Sequence, residues 1–114
     1  KMFLRLKDVC NDGCVFIAEI DLAAHSRWIR DIDPLNIYRY SDTVYGLLAH
    51  GGSPNRVRPS QYVEAMEKTG WRDIGVIPLT RASRPYFNNV SGYMLNRFQD
   101  TQLDHLSIIL SARR

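Results

Sequence analysis

Asp21 and His25 form the pair in this 114-residue sequence whose types and spacing could carry out acid–base chemistry. They are four residues apart and follow a strand-like apolar run at residues 14–20. Polar groups just beyond the carboxyl end of a buried parallel strand lie where α/β folds bind their ligands. We therefore predict catalytic roles for both, with His25 as a general base and Asp21 orienting it. The alternative is that Asp21 caps the following turn and His25 packs as an ordinary polar residue.

Asn55, Arg56 and Arg58 form a second polar cluster, between a glycine-containing loop and a helix-like segment. Because a guanidinium group presents a rigid fork of donors, two of them could hold a carboxylate or phosphate on a substrate. We predict that these three residues bind the substrate. The alternative is that they fasten the loop by bonding to backbone carbonyls or to Asp33 and Asp42.

An aromatic-rich stretch with arginines beside it comprises Trp28, Tyr38, Tyr40 and Tyr45, with Arg27, Arg30 and Arg39. Stacking on nucleobases is one interpretation of such a stretch. Packing within a helical core or lid is much commoner, and we favour it. A hydrolytic triad is not indicated, because no serine stands in a Gly-x-Ser-x-Gly turn.

Cys10 and Cys14 are the two cysteines of the chain. A disulfide scaffold of this size would need more cysteines, and a zinc site would need two further ligands at suitable spacing. We predict reduced thiols, no metal and a cytoplasmic protein.

The charge pattern gives little support for a nucleic-acid surface. The formal net charge is +3 and arginine supplies 12 of the 15 basic residues, but acidic residues are interleaved among them. No apolar run approaches the length of about 20 residues that spans a bilayer, so we expect no membrane association. The first residue is Lys, from which we expect a processed chain or part of a longer one.

The apolar spacing predicts an α/β arrangement of helices and strands. A helix over residues 2–10 should end at the glycine of the Asn11-Asp12-Gly13 turn. The run at 14–20 is nearly continuous in apolar residues, which predicts a central strand covered on both faces. Further strands are expected at 74–79 and 106–112.

The middle of the chain should be helical. Asp33-Pro34 predicts a helix start, and residues 35–48 should form one helix or two, the second beginning at Ser41-Asp42. Ser60 is the predicted N-cap of a helix over 61–69 that stops at Gly70. Residues 85–89 are predicted as a loop and 93–98 as a short helix. We treat residues 1–114 as one domain.

Several local motifs occur in a defined order along this pattern: the Gly13 turn, Ile20-Asp21-Leu22 before His25, Asp33-Pro34-Leu35-Asn36, Tyr40-Ser41-Asp42, the stretch 55–62, and Gly70-Trp71. Together they resemble the carboxy-terminal half of the class I S-adenosylmethionine-dependent methyltransferases. The family's usual Pro-Gly-Gly turn is Asn11-Asp12-Gly13 here, which keeps the last glycine.

The resemblance implies a partial Rossmann-like methyltransferase sheet with flanking helices. Residues 14–20, 74–79 and 106–112 would be its fifth, sixth and seventh strands, the last antiparallel and inserted between the other two. The segment 14–20 would be an interior parallel strand whose neighbours on one side lie in the missing N-terminal half of the domain.

The same resemblance implies that the parent protein transfers a methyl group from S-adenosylmethionine to an unknown acceptor. This chain would supply the acceptor side and would be inactive alone. The family grips its cofactor with a Gly-rich turn upstream of Lys1, and the sequence has no Gly-x-Gly, so its cofactor-binding residues are unknown.

Two other classes of function stay open. One is a noncatalytic α/β module that uses an exposed sheet edge for homodimerisation or partner binding. The other is a small basic nucleic-acid-binding domain that uses its arginines and tyrosines.

Overall fold

The computed structural model describes residues 1–98 and 102–114. Five α-helices, one 3₁₀ turn and three strands occur within these residues. In chain order they are α1 (Met2–Val9), β1 (Val15–Asp21), α2 (Arg27–Ile32), the 3₁₀ turn (Asn36–Tyr38), α3 (Asp42–Leu48), α4 (Pro59–Lys68), β2 (Arg72–Arg81), α5 (Arg84–Arg97) and β3 (His105–Arg113). None of the helices in this part of the chain is long and apolar enough to cross a bilayer.

The three strands form one open sheet in the order β1-β3-β2. β3 runs antiparallel to both neighbours, so β1 and β2 point in the same direction. The insertion of an antiparallel last strand between two strands of common direction is the arrangement that the family resemblance implied. The carboxyl ends of β1 and β2 consequently lie at the same edge of the sheet.

One face of the sheet is covered by α1 and α4. Phe3 of α1 and Met66 of α4 are buried against Leu110 and Ala112 of β3, and Trp71 closes the same cluster. The indole Nε1 of Trp71 donates a hydrogen bond to the carbonyl oxygen of Phe3 at 3.0 Å. This single bond ties the start of β2 to the first turn of the chain.

A second apolar cluster lies in the helical part of the chain. The buried side chains of Leu35, Ile37 and Tyr38 pack there with Val90 and Met94 of α5. The cluster therefore joins the segment after β1 to the helix before β3.

The opposite face of the sheet is uncovered and partly apolar. Val15 and Ile17 of β1 are 54% and 68% exposed, and Ile77 of β2 is 55% exposed. The strand register aligns Ile77 with Ile109 of β3, which lies on the same face. We call Val15, Ile17, Ile77 and Ile109 the open face.

This arrangement corrects the prediction for β1. β1 pairs only with β3, antiparallel to it, and is an edge strand of the described sheet. Its residues alternate between exposed and half-buried, because helices pack on only one of its two faces. The expectation of an interior strand covered on both faces is therefore not met within the described residues.

The turn residues behave largely as their chemistry predicts. Gly13 ends the turn after α1 at φ +81°, and Gly70 follows α4 at φ +78°, both in the region that favours glycine. The N-cap of α4 is Arg58 and not Ser60, because Pro59 takes a first-turn position and starts the helix earlier than predicted. The backbone N–H of Arg58 donates to Oε1 of Gln61 at 2.9 Å.

The predicted helix start at Asp33 is wrong. Asp33 instead follows the end of α2, a helix that the sequence pattern did not predict. Only the 3₁₀ turn comes next, and a separate helix, α3, begins after Ser41, whose Oγ accepts from the N–H of Val44 at 3.2 Å. The sequence left open whether residues 35–48 form one helix or two, and the structure shows two separate helical segments.

The predicted loop at residues 85–89 is also wrong, because α5 begins at Arg84. Pro85 lies in the first turn, where its missing N–H costs no intrahelical bond. The short helix expected at 93–98 is the second half of this longer one.

Replacement of Trp71 tests the packing of α1 on the sheet. Because Trp71 is 3% exposed, we expect Trp71→Ala to lower the free energy of unfolding by about 3–5 kcal/mol. Trp71→Phe should cost about 1 kcal/mol from loss of the bond to Phe3 alone, if the ring packs in the same place. Urea unfolding followed by circular dichroism measures both.

Trp28 provides the matched control, since it is 86% exposed. Trp28→Ala should change the free energy of unfolding by no more than about 0.5 kcal/mol. Equal effects at the two positions would contradict the described packing.

Candidate functional site

A cleft opens in the segment that follows the carboxyl end of β1. It has a volume of about 260 Å³ and is walled by residues from 24 to 54, including Ile29 of α2, Ile37 of the 3₁₀ turn and Leu48 of α3. His25 and His50 both line it. The cleft is therefore built by the connection that follows β1, whereas the depression at the carboxyl ends of β1 and β2 is a separate one lined by Asp21 and Thr80.

The loop carrying His50 is held by a local turn. Oγ of Ser53 accepts the backbone N–H of His50 at 2.9 Å and lies 3.0 Å from its Nδ1. Tyr45 donates its hydroxyl proton to the carbonyl oxygen of Pro54 at 2.5 Å, which closes the loop against α3. Sequence reasoning missed His50, although its position before Gly51-Gly52 was a signal for a loop that could carry a functional side chain.

The hydrogen bonds of Asp21 go to groups other than His25. Oδ1 of Asp21 accepts the backbone N–H of Ala23 at 3.0 Å, and Oδ2 is bonded by the guanidinium of Arg30. Asp21 lines a separate depression beside Thr80, whereas His25 faces the cleft. The geometry of Asp21 matches the alternative in which it caps the turn after β1.

Arg56 fastens the loop between α3 and α4. Its Nη1 donates to the carbonyl oxygen of Tyr40 at 2.6 Å, and its Nη2 bonds to Asp42. Its guanidinium carbon lies 4.4 Å from the centre of the Tyr45 ring, a cation–π contact. Arg97 of α5 bonds to the same carbonyl and the same carboxylate.

Arg58 is buried, with 1% of its surface exposed. Its Nη1 donates to the hydroxyl of Tyr38 at 3.2 Å, and its Nη2 donates to the carbonyl oxygen of Gln102 at 2.7 Å. The Tyr38 hydroxyl in turn donates to the carbonyl oxygen of Leu22 at 2.8 Å. These bonds join the end of β1, the 3₁₀ turn, the start of α4 and the segment before β3.

Asn55 stays at the surface. Its Oδ1 accepts the backbone N–H of Val57 at 3.0 Å and the hydroxyl of Tyr62 at 3.2 Å. The three residues predicted to bind a substrate thus have structural contacts: Asn55 shapes the approach to α4, Arg56 fastens the loop and Arg58 joins the core.

The aromatic residues of the stretch 28–45 divide between core and cleft. Tyr38 is buried, and burial raises the pKa of its hydroxyl while Arg58 lowers it, with a net rise. Tyr40 and Tyr45 line the cleft, and Trp28 is exposed on α2. The four rings therefore do not form one stacking platform.

Asp33 is the centre of a polar network beside the cleft. Its carboxylate accepts from the hydroxyl of Tyr86 at 2.5 Å, from Nε of Arg39 at 2.7 Å and from Nδ2 of Asn36 at 3.2 Å. Partial burial raises the pKa of this carboxyl, but the three hydrogen bonds outweigh it and the pKa lies below its usual range. Burial and the same carboxylate raise the pKa of the Tyr86 hydroxyl.

Cys10 and Cys14 stand on either side of the Gly13 turn, both half-buried. A hydrogen bond between their side chains raises the pKa of the Cys14 thiol, together with desolvation. Within residues 1–98 and 102–114, no group of three or more His, Cys, Asp or Glu side chains is arranged to hold a metal ion.

Comparison of the chain with protein-family models, with curated proteins and with solved structures gives no significant match.

Replacement of Arg58 and of Arg56 measures how much each guanidinium group contributes to the stability of the fold. We expect Arg58→Ala to lower the free energy of unfolding by about 3 kcal/mol, because it leaves the Tyr38 hydroxyl and the Gln102 carbonyl without this donor in the interior. Arg56→Ala, nearer the surface, should cost about 1–2 kcal/mol. Urea unfolding measures both.

Arg5, which is exposed on α1, is the matched control, and Arg5→Ala should stay within about 0.5 kcal/mol of the parent chain. An Arg58→Ala chain as stable as the Arg5→Ala control would show that the buried guanidinium does not hold these segments together.

Proposed function

We propose that this chain is the acceptor-side part of the catalytic domain of an S-adenosylmethionine-dependent methyltransferase. The observation that carries the proposal is the sheet order β1-β3-β2, with β3 antiparallel between two strands of common direction. The resemblance drawn from the sequence implies this arrangement for the last three strands of that fold. From this topology we extend the proposal to the parent protein, which would transfer the methyl group.

The open face and the free edge of β1 support the same proposal. Val15 and Ile17 project from β1 on the side that α1 and α4 leave uncovered. Exposed apolar side chains clustered on a sheet mark a surface that is covered by something else in the working molecule. Further strands pairing with β1 and helices on the open face would cover it in a complete Rossmann-like sheet.

The described residues do not fit S-adenosylmethionine itself. The acidic group at the end of β1, Asp21, is already bonded to Arg30 and to the N–H of Ala23. The adjacent glycines Gly51 and Gly52 lie in the loop after α3 and not between a strand and a helix. We therefore assign the cofactor to residues outside this chain and derive no step through it.

His25 is the residue of the chain that we assign to chemistry. It lines the cleft beyond β1 without being joined to Asp21, so its role does not depend on that pair. An imidazole at this position could accept a proton from the group that receives the methyl. Asp21 becomes a positioning residue, because it holds the turn that presents residues 22–26.

The gene and its full product test this proposal. We expect the codons preceding Lys1 to encode a strand followed by a Gly-x-Gly turn, and the full-length protein to bind S-adenosylmethionine in a calorimetric titration. The chain of 114 residues should not bind it under the same conditions. A start codon directly before Lys1, or a full-length protein that does not bind the cofactor, would overturn the proposal.

A noncatalytic dimerisation module is the second candidate, and the open face is the observation that favours it. Two copies could cover their open faces against each other or pair along β1. In that case sedimentation should show a dimer that Ile17→Lys converts to a monomer. Leu47→Lys, at a position on α3 that is 81% exposed, should leave it dimeric.

A monomer at the highest soluble concentration of the unsubstituted chain would exclude this second candidate. The same result would leave the methyltransferase proposal standing, because that proposal assigns the open face to another part of the same protein.

A further inference from the structure

The chemistry of the cleft beyond β1 restricts what can bind there. Its described lining contains no Asp, Glu, Lys or Arg side chain. The walls are formed mainly by the apolar and aromatic residues Ile29, Ile37, Tyr40, Tyr45 and Leu48. An apolar ligand body fits such walls, and a ligand with a fixed positive charge would meet no carboxylate.

Two imidazoles supply the ionisable groups of this lining apart from the tyrosines. His25 approaches from the turn after β1, and His50 approaches from the loop after α3. In either neutral tautomer an imidazole carries one N–H donor, and when charged it carries two. Because Ser53 engages Nδ1 of His50, Nε2 is the ring nitrogen that can meet a ligand.

Behind the Tyr45 ring two guanidinium groups share one carboxylate, whereas beside Asn36 the carboxylate of Asp33 is paired with Arg39. Arg56 lies against the ring of Tyr45, and Arg97 lies beside it, but both share the single carboxylate of Asp42. The side chain of Asp42 is 90% exposed, whereas that of Arg56 is 10% exposed. Desolvation, and after it the proximity of Arg97, lower the pKa of Arg56.

The size of the cleft limits the ligand further. At about 260 Å³ it is slightly smaller than the range of about 300–1,000 Å³ that is typical of drug-sized ligands. A molecule with one or two fused rings, or an aliphatic body of similar volume, is the size expected.

We infer that this cleft binds a small carboxylic acid, with an apolar body between α2 and α3 and its carboxylate at His25 and His50. The inference deepens the proposed function, on which it rests where the bound acid is also the methyl acceptor. The binding itself requires only the residues of this chain.

A set of probes that share one apolar body tests the charge preference. The chain of 114 residues is titrated with indole-3-acetate, with its neutral amide indole-3-acetamide and with the amine tryptamine, and binding is followed by calorimetry and by amide chemical shifts. We expect the carboxylate to bind about tenfold more tightly than the amide, the difference of one charge-assisted contact. Tryptamine should bind more weakly than either.

A fourth probe, 5-hydroxyindole, carries a hydroxyl that stays neutral at about pH 7, because a phenol ionises only at about pH 10. Tighter binding of 5-hydroxyindole than of indole-3-acetate would show a preference for a neutral hydroxyl and would overturn the inference. Equal binding of acid and amide, tighter binding of the amine, or no binding by any probe would each overturn the inference.

Two variants test whether the preference for the carboxylate probe arises in the cleft. His50→Gln keeps a polar side chain but removes the imidazole, and it should weaken binding of the carboxylate about fivefold while leaving the amide unchanged. His50 is exposed, so the variant should keep the fold, which circular dichroism checks. Arg5→Gln, in α1 and outside the cleft lining, is the control and should bind every probe as the parent chain does.

Different experimental results would exclude the methyltransferase proposal and the ligand assignment. Binding of the acid by this chain, with no cofactor binding by the full-length protein, would retain the cleft and exclude the methyltransferase. Cofactor binding by the full-length protein, with no preference for the acid probe, would exclude only the assignment of the ligand.

Discussion

The position of the cleft depends on the buried guanidinium of Arg58. Taking a charge out of water is costly unless its hydrogen-bonding groups find partners. Here the Tyr38 hydroxyl and the Gln102 carbonyl accept from it, and the Tyr38 ring lies 5.0 Å from its central carbon. Because Tyr38 also bonds to the carbonyl of Leu22, one side chain fixes the segment after β1 relative to the strand that ends the chain.

The two faces of the sheet have different roles. The face toward α1 and α4 holds Trp71 and the buried residues of β3, and it provides most of the packing of the strands. The open face presents Ile17 and Ile77 to solvent. A sheet that is covered on one face normally carries polar residues on the other, and these exposed apolar residues are the observation on which both proposals for a covering element depend.

The sequence predicted the strands well because their apolar runs and flanking glycines are local signals. It failed where local signals conflict: Pro85 was interpreted as a loop residue, although its position in the first turn of α5 suits the ring of proline. The candidate site was less predictable. The spacing of Asp21 and His25 brings side chains together on a helix, but α2 begins only at Arg27, so a bent, non-helical segment separates the two. Arg97 reaches the site from α5, and no local pattern could reveal such a distant contact.

The described residues that line the cleft all belong to the stretch from Ala24 to Pro54, which lies between β1 and α4. The covered face of the sheet draws instead on α1, α4 and the strands. Exposed members of this stretch, such as Leu48 and His50, can therefore be replaced without changing the residues that cover the sheet. Tyr38 and its partner Arg58 limit this independence, because their hydrogen bonds join the stretch to the end of β1 and to the segment before β3.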